Sequence, residues 1–344
     1  MKKQSKLLAL LLACAMTLAL SACGGNSATT STPAGSAAPA ASGSAAATGD
    51  KTYTIGICQL VQHNALDAAT KGFKDALTEK LGDKVKFDEQ NAAGDSATCA
   101  TICNQFVSSK VDLIMANATP ALQVATAATN SIPILGTSVT DYGTALSIAD
   151  WKGTTGTNVT GTADLAPLDK QAEMIKTLFP DKKNVGILYC SAEPNSKYQS
   201  TEITKYLTDA GYTCKEYTFA DSNDVAAVTK TACDESDVLY VPTDNTAASC
   251  AESINNIAEP AKVPIVAGES GICTGCGVAT LSIDYYDLGV VTGNMAYEVL
   301  VNGADPATTE IQFAPKTTYQ YMADRCEKLG VKVPSDYVAI EAEK

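Results

Sequence analysis

The chain of 344 residues holds a single histidine and a single tryptophan, and aromatics make up only 6% of it. With one histidine, any Ser-His or Cys-His nucleophile system would have to use His63. No G-x-S-x-G elbow, no P-loop G-x-x-x-x-G-K-[ST] and no G-x-G-x-x-G after the first strand-like run is present. Those absences argue against an enzyme, and no cofactor is expected. Scarce aromatics disfavour a sugar cleft, which needs aromatic plates on both faces. Positive charge is short as well: 25 Lys and Arg face 38 Asp and Glu, for a net charge of −13. No basic patch or helix-turn-helix pattern precedes the body, so nucleic acid and a polybasic membrane surface are excluded as partners.

What is present begins with an export signal. Lys2, Lys3 and Lys6 precede the apolar stretch Leu7 to Leu20. That stretch falls short of the ~20 apolar residues of a spanning helix, which favours a cleaved signal peptide over 1–22. Leu20-Ser21-Ala22-Cys23, followed by Gly24 and Gly25, resembles the lipobox of bacterial lipoproteins, which implies a lipid on Cys23 and a membrane anchor. Residues 24–50 are Ser, Ala, Gly, Thr and Pro with almost no charge. They bury too little apolar surface to offset ordering entropy, so 23–50 reads as a lipid-anchored flexible tether.

Beyond Cys14 and Cys23 lie Cys58, Cys99, Cys103, Cys190, Cys214, Cys233, Cys250, Cys273, Cys276 and Cys326. Several end apolar runs, as in IGIC and VGILYC, where a thiol behaves as a small core hydrophobe. A body of this size needs no disulfide framework. Cys273-x-x-Cys276 and Cys99-x-x-x-Cys103 have spacings a metal accepts, but no histidine completes a set and no metal site is expected.

The body alternates short apolar runs with amphipathic segments, the signature of parallel βαβ units. Strands are predicted over 53–58, 85–90, 113–116, 134–137, 185–189, 213–218, 238–241, 265–267 and 279–283. The series runs twice, over about 51–160 and 180–283. VDLIMANATPA parallels SDVLYVPTDNTA, and SIPILGT parallels KVPIVAGES. The fold class is therefore α/β: two Rossmann-like, doubly wound parallel-sheet lobes with a hinge. Open parallel sheets bind ligands beyond the carboxyl ends of their strands. Six polar turns stand there: QLVQHN, NATP, TSVTDY, SAEPNS, PTDN and GESG. A small-molecule site in the cleft between the lobes follows.

The runs IGICQLVQHNALDAATKGFKDAL, QNAAGD, VDLIMANATPALQ, PTDNTAAS and LSIDYYDLG, in that order, resemble the ABC-transporter substrate-binding lipoproteins grouped with the tryptophan- and tyrosine-binding proteins of Gram-positive bacteria. The resemblance covers about 52–334. It departs at Gln62 and Asn64, where relatives carry an acidic residue and a proline, and at the cysteine-rich GICTGCG. It implies a type I periplasmic-binding-protein fold with three crossovers. The first lobe would be 51–162 plus 285–310, the second 163–284 plus 311–344. It further implies a monomer on the outer face of the cytoplasmic membrane that hands an amino acid to an ABC permease and its ATPase subunit. A lipid-anchored sensor feeding a membrane receptor, or a different small solute, are the alternatives.

On that resemblance the α-carboxylate is met by hydroxyls and N–H groups at helix starts, with Thr119, Ser191, Asn195 and Ser196 as candidates, and Ser138 and Thr140 are further ligand-binding candidates in the turn after the fourth strand. The ammonium is met by a carboxylate among Asp141, Glu193, Asp244 and Glu269, with Asp244, flanked by Asn245, favoured. The solute side chain lies against Leu66 and Pro120, with His63 or Tyr142 beside it. Capping of helices by Thr119, Ser196 and Asp244 is the competing reading. Asp284, Tyr285 and Tyr286 fall at a hinge crossover, with Tyr286 expected in core or interlobe packing.

Overall fold

The computed structural model describes residues 51–341; the expected signal segment 1–22, Cys23 and the tether 23–50 lie outside them. From residue 51 the chain builds β1 (Tyr53–Gln59), α1 (Asn64–Leu81), β2 (Val85–Asn91), α2 (Ser96–Ser109), β3 (Leu113–Asn117), α3 (Thr119–Ala128), β4 (Ile134–Val139), α4 (Tyr142–Leu146) and β5 (Val159–Ala163). It then crosses into a second lobe. This comprises α5 (Leu168–Leu178), β6 (Asn184–Cys190), α6 (Pro194–Asp209), β7 (Thr213–Phe219), α7 (Val225–Glu235), β8 (Val238–Val241), α8 (Asn245–Ser249), α9 (Ala251–Ala261), β9 (Ile265–Ala267), α10 (Ser270–Cys276) and β10 (Ala279–Ile283). A second crossover returns α11 (Tyr285–Val301) and β11 (Gln312–Phe313) to the first lobe, and a third delivers β12 (Thr317–Tyr321), α12 (Ala323–Leu329) and β13 (Val338–Ala339) to the second.

The first sheet has the order β11-β5-β4-β3-β1-β2 and the second β13-β12-β10-β9-β8-β6-β7. All pairings are parallel except β10 with β12. β3, β4, β5, β8, β9 and β10 are buried along their whole length, as strands covered by helices on both faces must be. Because β11 pairs with β5, the first lobe runs to Phe313, three residues past the expected 310.

α1 and α11 lie against each other through glycine. A Cβ on Gly72 would meet the Tyr286 carbonyl oxygen at 2.1 Å, and one on Gly289 would meet the Ala69 carbonyl at 2.1 Å. The returning helix is thereby seated on the helix that leads out of the first strand tip.

The ten described cysteines beyond Cys23 are all free thiols. Cys99 and Cys103 sit in the apolar core of the first lobe with Cys58, and Cys273 and Cys276 in that of the second.

Candidate functional site

The carboxyl ends of the strands of both lobes converge, and the lobes touch there. His63 Nε2 lies 3.3 Å from Asn245 Oδ1 and Gln199 Nε2 lies 3.5 Å from Thr140 Oγ1, while at the crossovers the Tyr285 hydroxyl donates to Asp164 Oδ2 at 2.9 Å. The sheet order lines up the first-lobe tips as His63 (after β1), Thr119 (after β3), Ser138 and Thr140 (end of β4) and Asp164 (after β5). Successive tips are one strand spacing, about 4.8 Å, apart.

In the middle of this row stand two hydroxyls without partners. Thr119 Oγ1 and Ser138 Oγ are buried and make no hydrogen bond. Thr119 opens α3, whose first N–H groups point into the gap with the positive end of the helix dipole. The backbone around them is strained: Ala118 has φ +95° and Ser138 φ +54°, and the β4–β5 register shifts between Gly136 and Val139. Such strain persists where surrounding structure enforces it, typically at ligand sites.

Around this centre four carboxylates are buried: Asp164, Glu193, Asp244 and Glu269. None forms an ion pair among the described residues. Their partners are neutral donors. Asp164 accepts from Thr140 Oγ1 (3.1 Å) and Tyr285, and burial raises it to about 6. Glu269 accepts the N–H groups of Gly271 and Ile272 at the start of α10; burial lifts it to about 7, and the charge of Asp164 adds to the lift. Arg325 clasps the other end of α10, donating to the carbonyls of Cys273 (2.8 Å), Thr274 (3.0 Å), Gly275 (3.2 Å) and Gly277 (2.6 Å).

Asp244 spends Oδ1 on the Ala247 N–H (2.7 Å) and Oδ2 on the Cys190 N–H (2.7 Å), tying β6 to the start of α8. Burial and then the neighbouring Glu193 charge push it to about 8. Ser196 is fully buried beside it. Glu193 is saturated: Oε1 accepts the N–H and hydroxyl of Thr246 (2.8 Å each), and Oε2 accepts the Asn245 N–H (3.0 Å), Asn245 Nδ2 (2.6 Å) and Asn195 Nδ2 (3.2 Å). Asn195 Oδ1 is left buried and unpartnered.

At the β1 end the character changes. Leu60, Val61 and Pro120 of the first lobe face Glu193, Asn245 and Thr246 of the second around a cavity of about 330 Å³. The same cavity is also lined by Asp95 and Ser96, so its first-lobe wall mixes apolar and polar groups.

Over residues 54–344 the sequence matches the family described as ABC transporter substrate binding protein. The chain belongs to that family. As a member of the ABC transporter substrate-binding proteins it is 40% identical over 265 residues to the tyrosine-binding protein of Clostridioides difficile (strain R20291), covering 75% of this chain and 76% of the relative. A Streptococcus pneumoniae ABC domain solved in complex with L-Trp is 34% identical, covers 84% of this chain and 100% of its own, and superposes with a TM-score of 0.81. A Clostridium difficile substrate-binding protein with adhesive properties, solved ligand-free and open, is 36% identical, covers 85% and 100%, and scores 0.65. Across the two lobes His63 meets Asn245 and Gln199 meets Thr140.

Several residues singled out from sequence stand elsewhere in this family member. Leu66 packs in the first-lobe core. Asp141 is only partly buried and caps α4 through the Thr144 N–H at 2.6 Å. Tyr142 is fully buried, stacked 6.2 Å from Trp151 and donating to the Thr162 carbonyl. Tyr286, expected to be packed, is 37% exposed and bonds Asp75 on α1. Asp164 is not legible as a site residue from sequence, because VTGTA, with Gly161 and two threonines, reads as a polar loop although it is the strand β5.

Proposed function

We propose that the chain is the extracytoplasmic, lipid-anchored receptor of an ABC importer and that its solute is an α-amino acid with an aromatic side chain. One observation carries the solute class. The buried, unpartnered hydroxyls of Thr119, at the start of α3, and Ser138, at the end of β4, stand in the same row of strand tips as the buried carboxylate of Asp164, which meets no basic side chain. The first set lacks an anion and the second a cation, and a zwitterion supplies both. The carboxylate is assigned to Thr119 and Ser138. The ammonium is assigned to Asp164. This replaces Asp244, whose two oxygens already hold backbone N–H groups.

The apolar Leu60, Val61 and Pro120 wall and the tyrosine- and tryptophan-binding relatives support an aromatic side chain. Because the hydrogen bonds that close the lobes flank the site, solute bound there favours the closed form only by contacting both lobes. The lipobox-like LSAC ending at Cys23 supports the anchor, and family membership supports delivery to a permease.

A thermal-shift and calorimetric screen of the twenty amino acids, purines and common sugars tests the solute class. Aromatic amino acids are expected to raise the melting temperature; stabilisation by sugars or purines alone overturns the reading. Loss of membrane association in Cys23→Ser, followed by fractionation, tests the anchor.

A further inference from the structure

We propose that Cys58, Cys99 and Cys103 form a buried thiol centre in which a small hydroperoxide oxidises Cys99 and Cys58 closes the product into a disulfide. The inference goes beyond the solute reading above and does not depend on it.

The geometry follows from how α2 lies on β1. Gly56 and Cys58 are two apart on β1 and point to the same face of the sheet. Phe106, Cys103 and Cys99 are spaced three and four apart on α2 and share its inner, buried face. A Cβ on Gly56 would meet the Phe106 ring at 2.6 Å, so this pair sets the register of helix on strand. As the crossover between the parallel strands β2 and β3, the helix runs against the strand direction. Two residues up β1 from Gly56 cover about 6.6 Å. Back along α2 from Phe106 it is about 4.5 Å to Cys103 and about 10.5 Å to Cys99. Cys58 therefore stands between the two, and its thiol lies within reach of both. All three are free thiols, fully buried in one apolar core.

The three are not equivalent. Cys99 is the fourth residue of α2, at the positive end of the helix dipole. The Cys58 thiol donates to it and holds it below the ordinary thiol value, against burial and the Asp95 charge. Cys58, tied to Cys103 and Cys99, is pushed up and keeps its proton. Cys99 is the nucleophile and Cys58 the thiol that resolves it. The Cys99 sulfur attacks one peroxide oxygen, the O–O bond breaks, and Cys99 becomes a sulfenic acid while an alcohol, or water from hydrogen peroxide, leaves with the thiol proton. The Cys58 sulfur then displaces the sulfenic hydroxyl, which leaves as water with the Cys58 proton. Two thiols give up two electrons to the O–O bond, and one S–S bond forms.

The route in is the cavity of about 330 Å³ lined by Gly94, Asp95 and Ser96, the turn that opens α2 one helical turn from Cys99. Hydrogen peroxide is little larger than water, whereas thiol-titrating reagents are too bulky for that path. The bridge would fasten the start of α2 to the end of β1. Backbone bonds from Ala92 N–H to the Gln59 carbonyl (2.9 Å) and from Gly94 N–H to the Leu60 carbonyl (2.8 Å) already hold the β2–α2 loop to that strand tip. Oxidation therefore stiffens one wall of the cleft.

The test treats reduced, folded protein with a few equivalents of hydrogen peroxide, blocks the remaining thiols in denaturant, and digests with trypsin for mass spectrometry. Peptides 52–71, carrying Cys58, and 87–110, carrying Cys99 and Cys103, are expected to be joined and lighter than their sum by two hydrogen atoms. The oxidised protein should melt several degrees higher, and dithiothreitol should reverse both changes. Cys103→Ser should keep the joined pair. Cys58→Ser should lose it and leave a Cys99 sulfenic acid that dimedone traps; the wild-type arm decides the matter without either variant. No joined pair from folded wild type, a bridge confined to peptide 87–110, joining only after unfolding, or a joined pair that does not raise the melting temperature overturns the inference.

Discussion

Asp164 and Tyr285 are 121 positions apart in the chain and joined by a 2.9 Å hydrogen bond. Asp164 follows β5 at the first crossover, and Tyr285 opens α11 just past the second. The bond therefore ties together two of the three strands of chain on which the lobes turn, and it does so at the carboxylate assigned to the ammonium. Contact with the ligand and setting of the hinge meet in one side chain.

Neutralising that carboxylate should separate stability from function. Asp164→Asn removes a buried charge whose only partners are hydroxyls, while keeping an acceptor for Tyr285. The unliganded protein is expected to melt higher than wild type at pH 8, and amino-acid affinity to fall by roughly a hundredfold or more. Melting curves with and without ligand check both halves.

Proton exchange should accompany binding. Burial holds Asp164 at about 6 and Glu269 at about 7, above their ordinary values. Glu269 also feels the charge of Asp164, and Tyr285 and Cys273 lie near them as further acidic groups. An ammonium favours the charged forms, so ligand expels protons. Affinity should be full above about pH 7 and weaken as pH falls through 7 to 6. Calorimetry in buffers of different ionisation enthalpy should show net proton release near pH 6.5. The sign for the empty protein is opposite. Raised carboxylates bind protons better folded than unfolded, so their penalty is present above the folded values and disappears toward pH 4 to 5; the unliganded melting temperature should rise on mild acidification.

Removing the anion side should be ligand-selective. Thr119→Val and Ser138→Ala are expected to weaken amino acids by roughly ten- to a hundredfold each. Tyramine and tryptamine, which lack the carboxylate, should bind these variants no worse than wild type, as read by competition.

The α1–α11 contact gives a stability prediction away from the cleft. Gly289→Ala drives a methyl group against the Ala69 carbonyl and should cost about 1–3 kcal/mol in denaturant unfolding. Loss of less than a few tenths would show that the helices separate freely.

Thiol titration under native conditions should find Cys214 and Cys250, the two partly exposed cysteines, reacting first, with the buried eight reacting only on unfolding. Few free thiols after denaturation would contradict the free-thiol state.

Much of the scaffold was legible because buried parallel strands must be apolar throughout. β8, β9 and β10 fall on the spans expected from their apolar runs. β5 and β12 escaped for a reason of composition. Gly161 lets β5 pass within contact of β4, where a Cβ would meet the Gly136 carbonyl at 2.0 Å, and small polar residues along VTGTA hide its strand character. β12 is a partly exposed strand of threonine, tyrosine and glutamine, added antiparallel to β10. The turn residues after β3, β6 and β8 were legible as polar tips. What the sequence could not supply was which oxygen each tip spends on the backbone. Asp244, Glu193 and Glu269 look alike as letters, yet Asp244 and Glu193 are consumed by turn N–H groups while Asp164, hidden behind an unrecognised strand, keeps neutral company only.

The return of α11 and β11 to the first lobe, and of β12 and α12 to the second, has a consequence for synthesis. Neither lobe has all its parts until the residues after Ile283 are available, since one sheet still awaits an edge and a covering helix and the other its antiparallel neighbour. A ribosome-bound nascent chain therefore cannot finish half the molecule and set it aside. Truncation just before α11 would cripple both halves together, and the two complete within the same final stretch of translation.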